Sequence, residues 1–177
     1  MVSGKIHFAI RNKGCITALL VAAALFLCSC STKNDSADVS AYLGEYSYDS
    51  SISAMVYEDM DGEGEGIQYR EVTDYNKLIA YSKAPVCLYF YGGLSSDTSG
   101  ITASVEQLAE NYHDRILFVS VDADQETELA THFEIAALPD FILLENGSWT
   151  ASFSNNDGKA WTTGSLAQWI TDNSGIS

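Results

Sequence analysis

Pro85-Val86-Cys87-Leu88-Tyr89-Phe90-Tyr91-Gly92-Gly93-Leu94-Ser95-Ser96-Asp97-Thr98 decides how the chain is read. Val86 to Tyr91 is an unbroken apolar run, with a proline before it and a glycine pair after it. A half-exposed strand alternates apolar and polar residues; one covered on both faces does not. The run therefore predicts a central strand. Gly92-Gly93-Leu94 turns the chain, and Ser95 or Ser96 caps a helix. Ile101, Val105, Leu108 and Tyr112 follow at i, i+4, i+7 and i+11, one apolar stripe of a long helix.

The same alternation continues on either side. Upstream, Ile67 to Val72 predicts a strand, and Asp74 caps a helix carrying Tyr75, Leu78 and Ile79 on one face. Downstream, Ile116 to Val121 predicts a second apolar strand. Asp124 is expected to cap the next helix, with Glu126 and Glu128 in the first turn, where the macrodipole favours them. Phe141 to Leu144 predicts a strand, Asn146-Gly147 a hairpin turn and Trp149 to Phe153 the returning strand. Leu166, Trp169 and Ile170 mark a last helix. The order βαβαβαββα predicts an α/β domain: a central mixed sheet with helices on both faces. Strands joined by helices are expected to pair in parallel, and the hairpin adds an antiparallel edge.

The N-terminal region has a different character. Residues 1–29 read as a signal peptide: Lys5, Arg11 and Lys13, then an apolar stretch from Cys15 to Leu27, then small or sulfur-bearing residues. The apolar core is short for a spanning helix. Residues 30–41 are polar and small, a tether. Residues 42–66 form an acidic, Tyr-rich extension, in which Met55-Val56-Tyr57 predicts a short strand and Asp59 to Gly66 a loop. All 24 acidic residues lie after the leader, against six of the nine Lys and Arg. Nucleic acid is excluded as a partner, because nothing could replace phosphate counterions. The leader's end, Leu27-Cys28-Ser29-Cys30, resembles the bacterial lipobox. That resemblance implies cleavage before Cys30 and lipidation on it, hence an extracytoplasmic protein held at a bacterial membrane. Several acyl chains give a stable anchor where one does not.

From Ile67 to Asn173 the order of elements resembles thioredoxin. Pro85 to Tyr91 stands where that family has its buried strand, and Val121-Asp122-Ala123-Asp124 resembles the end of its third. Ile135-Ala136-Ala137-Leu138-Pro139 resembles the segment holding the family's cis-proline, and Glu145-Asn146-Gly147 fits the following hairpin. Residues 67–175 are thus expected to form a thioredoxin-like domain.

The departures fall on the chemistry. Ser95-Ser96-Asp97-Thr98 occupies the place of Cys-Gly-Pro-Cys, and Tyr89 occupies the place of the family's buried proton-transfer aspartate. Disulfide exchange needs a thiolate at the helix tip and a second thiol to resolve the mixed disulfide. An alcohol ionises far above neutral pH, and a helix terminus contributes only about 0.3–1 kcal/mol. Cys87 lies mid-strand, where a free cysteine acts as a small hydrophobe. No catalytic residue, cofactor or metal is expected. A serine-hydrolase reading of Gly93-Leu94-Ser95 lacks the flanking glycine pattern. It also lacks a nearby base, since His113 stands about 22 Å along the same helix at ~1.5 Å per residue, and His132 lies on another helix with no evident partner. Asp59, Asp61, Glu63 and Glu65 do not have EF-hand spacing and read as a solvated loop. The expected function is a peptide- or protein-binding module, the alternative a thiol–disulfide oxidoreductase or its accessory. By resemblance, backbone pairing beside the proline needs no thiol. Tyr91, Gly92, Gly93, Leu94, Leu138 and Pro139 with the Ser95–Thr98 turn are the candidate groove.

Overall fold

Val86–Tyr91 forms the expected strand, β4, and Val86, Cys87, Leu88, Tyr89 and Phe90 are all buried. In the computed structural model, residues 36–92, 98–154 and 162–176 are described. A 3-10 helix, Ser36–Tyr42, leads into β1 (Leu43–Tyr46), β2 (Ile52–Asp59) and β3 (Glu65–Val72), and α1 (Tyr75–Tyr81) precedes β4. After β4 come α2 (Thr98–Tyr112), β5 (Leu117–Asp122), α3 (Thr127–His132), β6 (Asp140–Glu145), β7 (Ser148–Ser154) and α4 (Thr163–Asn173). The strands make one seven-stranded sheet, ordered β1-β3-β2-β5-β4-β6-β7. Among the described residues no helix is long and apolar enough to cross a membrane.

Alternate residues of β4 serve different layers, as the two-residue strand period requires. Val86, Leu88 and Phe90 pack with Leu78 and Ile79 of α1 and with Phe133. Cys87 and Tyr89 pack with Val105 and Leu108 of α2 and with Leu166 and Ile170 of α4. The expected stripe of α2 is the buried one: Val105 and Leu108 are covered, and Ile101 and Tyr112 pack at its margins. Asp74 caps α1 as predicted, its carboxylate accepting the Lys77 N–H at 3.0 Å. Asn146 and Gly147 both take positive φ (51° and 76°), the geometry of a two-residue hairpin.

Two expectations are corrected. First, β4 and β5 are parallel, but β6 runs antiparallel to β4 although a helix joins it to β5. The six residues of α3 span only about 9 Å at ~1.5 Å per residue. A strand of the same length spans roughly 20 Å at ~3.3 Å per residue. The residues on either side of α3 bring the chain back to the end of the sheet it left, where Asp140 starts β6 opposite Phe90. Second, Asp124 does not cap α3. Asp122 at the end of β5 accepts the N–H groups of Asp124 at 2.9 Å and Gln125 at 3.4 Å, turning the chain before the helix begins. Glu126 takes the N-cap position without a side-chain capping bond, and its carboxylate accepts the Ser51 hydroxyl instead.

The segment before Ile67 is part of the sheet. Strand β2, which contains Met55-Val56-Tyr57, lies between β3 and β5 and is antiparallel to both, with Met55 opposite Tyr69 on one side and Phe118 on the other. The acidic stretch after it is a hairpin turn closed by Met60 N–H to Gly64 O at 2.8 Å, with the Gly62 N–H donated to the Asp59 carboxylate.

Candidate functional site

Tyr91 is opposite Asp122, and Phe90 is opposite Asp140. The ends of β4 and β5 and the start of β6 therefore share one rim of the sheet. Gly92, which follows β4, is buried. A β-carbon there would stand 3.1 Å from Leu138 Cδ1 and 3.5 Å from Asp124 Oδ2. A side chain there would press on the end of the Leu138 side chain, which would have to give by a few tenths of an ångström. The Leu138–Pro139 peptide is cis. Leu138 itself is 38% exposed, an apolar side chain presented at the rim. Thr102, in the second turn of α2, lies 3.2 Å from the Tyr89 hydroxyl, which brings the start of the helix over this end of β4.

The structure thus gathers Tyr91, Gly92, Leu138 and Pro139 at one rim. Thr98 is the first residue of α2. Gly93, Leu94, Ser95, Ser96 and Asp97 lie outside the described residues, as does Cys30.

Cys87 is fully buried, flanked by Phe118 on β5 and Leu143 on β6. It is free, and burial pushes its thiol well above the usual range. A thiol held neutral without access to solvent is neither nucleophile nor redox partner. Tyr89 is also buried, and that burial is the chief cause raising its phenol. It remains protonated at neutral pH and cannot relay protons as a carboxylate would. Asp140 is 4% exposed, and burial raises its carboxyl against the opposing hydrogen bonds from the Phe141 N–H and Ser154. His113 lies just past the far end of α2, its ring 4.6 Å from that of Tyr57. His132 sits edge-on to Phe133. Neither histidine belongs to the rim.

A cavity of about 250 Å³ between α2 and the sheet was not legible in the sequence. Tyr48, Tyr69, Tyr89, Tyr91 and Glu106 line it. The Tyr69 hydroxyl donates to Glu106 Oε1 at 2.7 Å. Only the insertion of β2 between β3 and β5 brings these groups around one space, and nothing in the local pattern of residues 52–59 announces that placement.

The family model described as Thioredoxin matches residues 67–172. Among characterised proteins, Thioredoxin-1 of Drosophila yakuba is 28% identical over 89 residues, 50% of this chain and 83% of that protein. Thioredoxin Y, chloroplastic, of Oryza sativa subsp. japonica is 28% identical over 75 residues, 42% of this chain and 45% of that longer protein. Mitochondrial thioredoxin 3 from Saccharomyces cerevisiae, solved in the oxidised form, superposes with a TM-score of 0.48 at 22% identity, covering 56% of this chain and 88% of that one.

Proposed function

The chain belongs to the thioredoxin family, and from that premise we propose that it is a member without thiol–disulfide exchange that works as a binding module. The observation that carries this reading is the placement of sulfur. Positions 95 and 98 are Ser and Thr, and Cys87 is fully buried in the central strand. Exchange requires a thiolate to attack and a second thiol to resolve the product, and this chain supplies neither at the rim. The raised phenol of Tyr89 supports the same reading, since it stands where the family has a proton-transfer carboxylate.

The scaffold of the rim is kept. Leu138 is exposed beside the buried backbone of Gly92, and an extended peptide laid there would bond through its main chain and need no thiol. Tyr91, Gly92, Leu138 and Pro139 are the described part of that groove. Gly93, Leu94 and the Ser95–Thr98 turn complete it in sequence. Lipid on Cys30 would hold the domain outside the cytoplasm of a bacterium, and the excess of carboxylates would keep it off anionic head groups.

Insulin reduction with dithiothreitol tests the central statement. Turbidity is expected to follow the uncatalysed course at any concentration of the full chain. Acceleration above that background restores the oxidoreductase reading. For the anchor, expression in a bacterium fed an alkyne-tagged fatty acid should label the wild type and leave the Cys30→Ala variant unlabelled; equal labelling refutes it.

A further inference from the structure

Four tyrosines line the cavity beneath α2, and one of them, Tyr89, has a face covered by Phe141. Tyr48 and Tyr69 stand with ring centroids 5.4 Å apart and planes at 47°, and Tyr89 and Tyr91 with centroids 5.7 Å apart and planes at 31°. Tyr69 comes from β3 and Tyr89 and Tyr91 from β4, on either side of β2 and β5, while Tyr48, 75% exposed, stands at the mouth. Ser53 and Ser120 lie across from each other on β2 and β5, and their small side chains leave the space open. Their hydroxyls are already committed, that of Ser120 to the Ser53 carbonyl at 3.2 Å and that of Ser53 to the Ser47 carbonyl at 3.4 Å.

Glu106 is the one carboxylate of the lining, and no Lys, Arg or His is among the described lining residues. Its partner Tyr69 is kept a neutral donor by burial and by Glu106 itself, which hold the phenol well above its ordinary range. Tyrosine faces carry negative quadrupole charge and attract cations, more strongly where water is displaced. A hard metal ion would need several oxygen ligands, and a single carboxylate among rings does not supply them. A soft organic cation needs only what is present: π-faces for its methyl or methylene shell and one negative charge to balance it. The volume, just under the usual range for ligand pockets, suits a small molecule.

We propose that this cavity is a binding site for a small organic ammonium ion, held by Tyr48, Tyr69 and Tyr91 and balanced by Glu106. The site shares Tyr91 with the peptide groove and stands whether or not the chain exchanges disulfides.

Titration calorimetry of the full chain with choline chloride, against matched sodium chloride, tests it. Saturable binding is expected. The uncharged isostere 3,3-dimethyl-1-butanol should bind at least tenfold more weakly, and so should choline to the Glu106→Gln variant. No saturable choline heat, equal affinity for the alcohol, or unchanged affinity in Glu106→Gln each overturns the proposal. Should Glu106→Gln fail to fold, the comparison of choline with its isostere on the unaltered chain decides alone.

Discussion

Tyr89 and Phe141 lie nearly ring on ring across β4 and β6, their centroids 5.3 Å apart and their planes within 15° of parallel. The Tyr89 hydroxyl also reaches Thr102 on α2, so one side chain ties helix to sheet. Tyr89→Phe keeps the stack and loses the hydroxyl contact, which should cost about 1 kcal/mol. Tyr89→Asp removes the ring and buries a carboxylate in an apolar layer, and should cost roughly 3–5 kcal/mol. Urea unfolding measures both. An aspartate variant as stable as the parent would show that this position is not held by packing.

Cys87 should be silent in the folded chain. Its thiol is buried and held neutral, and alkylation proceeds through the thiolate. Peptide mapping after brief treatment with iodoacetamide at mildly alkaline pH should find Cys87 unmodified, and modified only after urea is added. Labelling at comparable rates in both conditions contradicts the packed strand.

Asp140 gives the stability a pH dependence of definite sign. Burial raises its carboxyl in the folded state, so the folded chain holds that proton to higher pH than the unfolded one. The penalty is absent below the unfolded carboxyl range, about pH 3.9, and grows as pH rises through the higher folded value. Asp140→Asn keeps an acceptor for the Phe141 N–H and removes the charge. It should be more stable than the parent at neutral pH, and the two urea curves should converge as pH falls toward about 4. A variant less stable than the parent at neutral pH goes against this sign.

Truncation from the N-terminus probes the role of β2. A chain starting at Ile67 keeps the family-matched residues but leaves β3 and β5 without the strand that lies between them. A β3 with no partner and an open edge on β5 favour aggregation. That fragment should be insoluble or lack near-ultraviolet circular dichroism, whereas a chain starting at Ser36 should fold. A soluble, cooperatively unfolding 67–177 fragment would refute the structural role of β2.

What the sequence made legible follows from how local each signal is. The run from Val86 to Tyr91, the stripe of α2, the Asp74 cap and the Asn146-Gly147 turn are each encoded within a few neighbouring residues, and all four hold in the structure. The reversed direction of β6 is not legible because a helical pattern between two strands does not say at which end of the sheet the chain re-enters. The start of α3 falls after Asp124 because Asp122 accepts the N–H groups of Asp124 and Gln125 in a local turn, leaving Glu126 at the N-cap position. At the rim, the close approach of Leu138 to Gly92 makes physical sense of a glycine that reads only as a turn. The cavity has no local signature because its walls come from residues as distant as Tyr48 and Ser120, joined only by sheet order.

The seat of β2 has a consequence for how the chain assembles. Ile52 pairs with Val121 and Met55 with Phe118, so one edge of the β2–β3 hairpin stays open until a strand made much later in synthesis emerges. Closing so distant a contact is slow, and an apolar ribbon waiting for its mate invites wrong partners. A chain of this topology gains from a chaperone that shields the open edge of residues 52–59 until Val121 is free to pair.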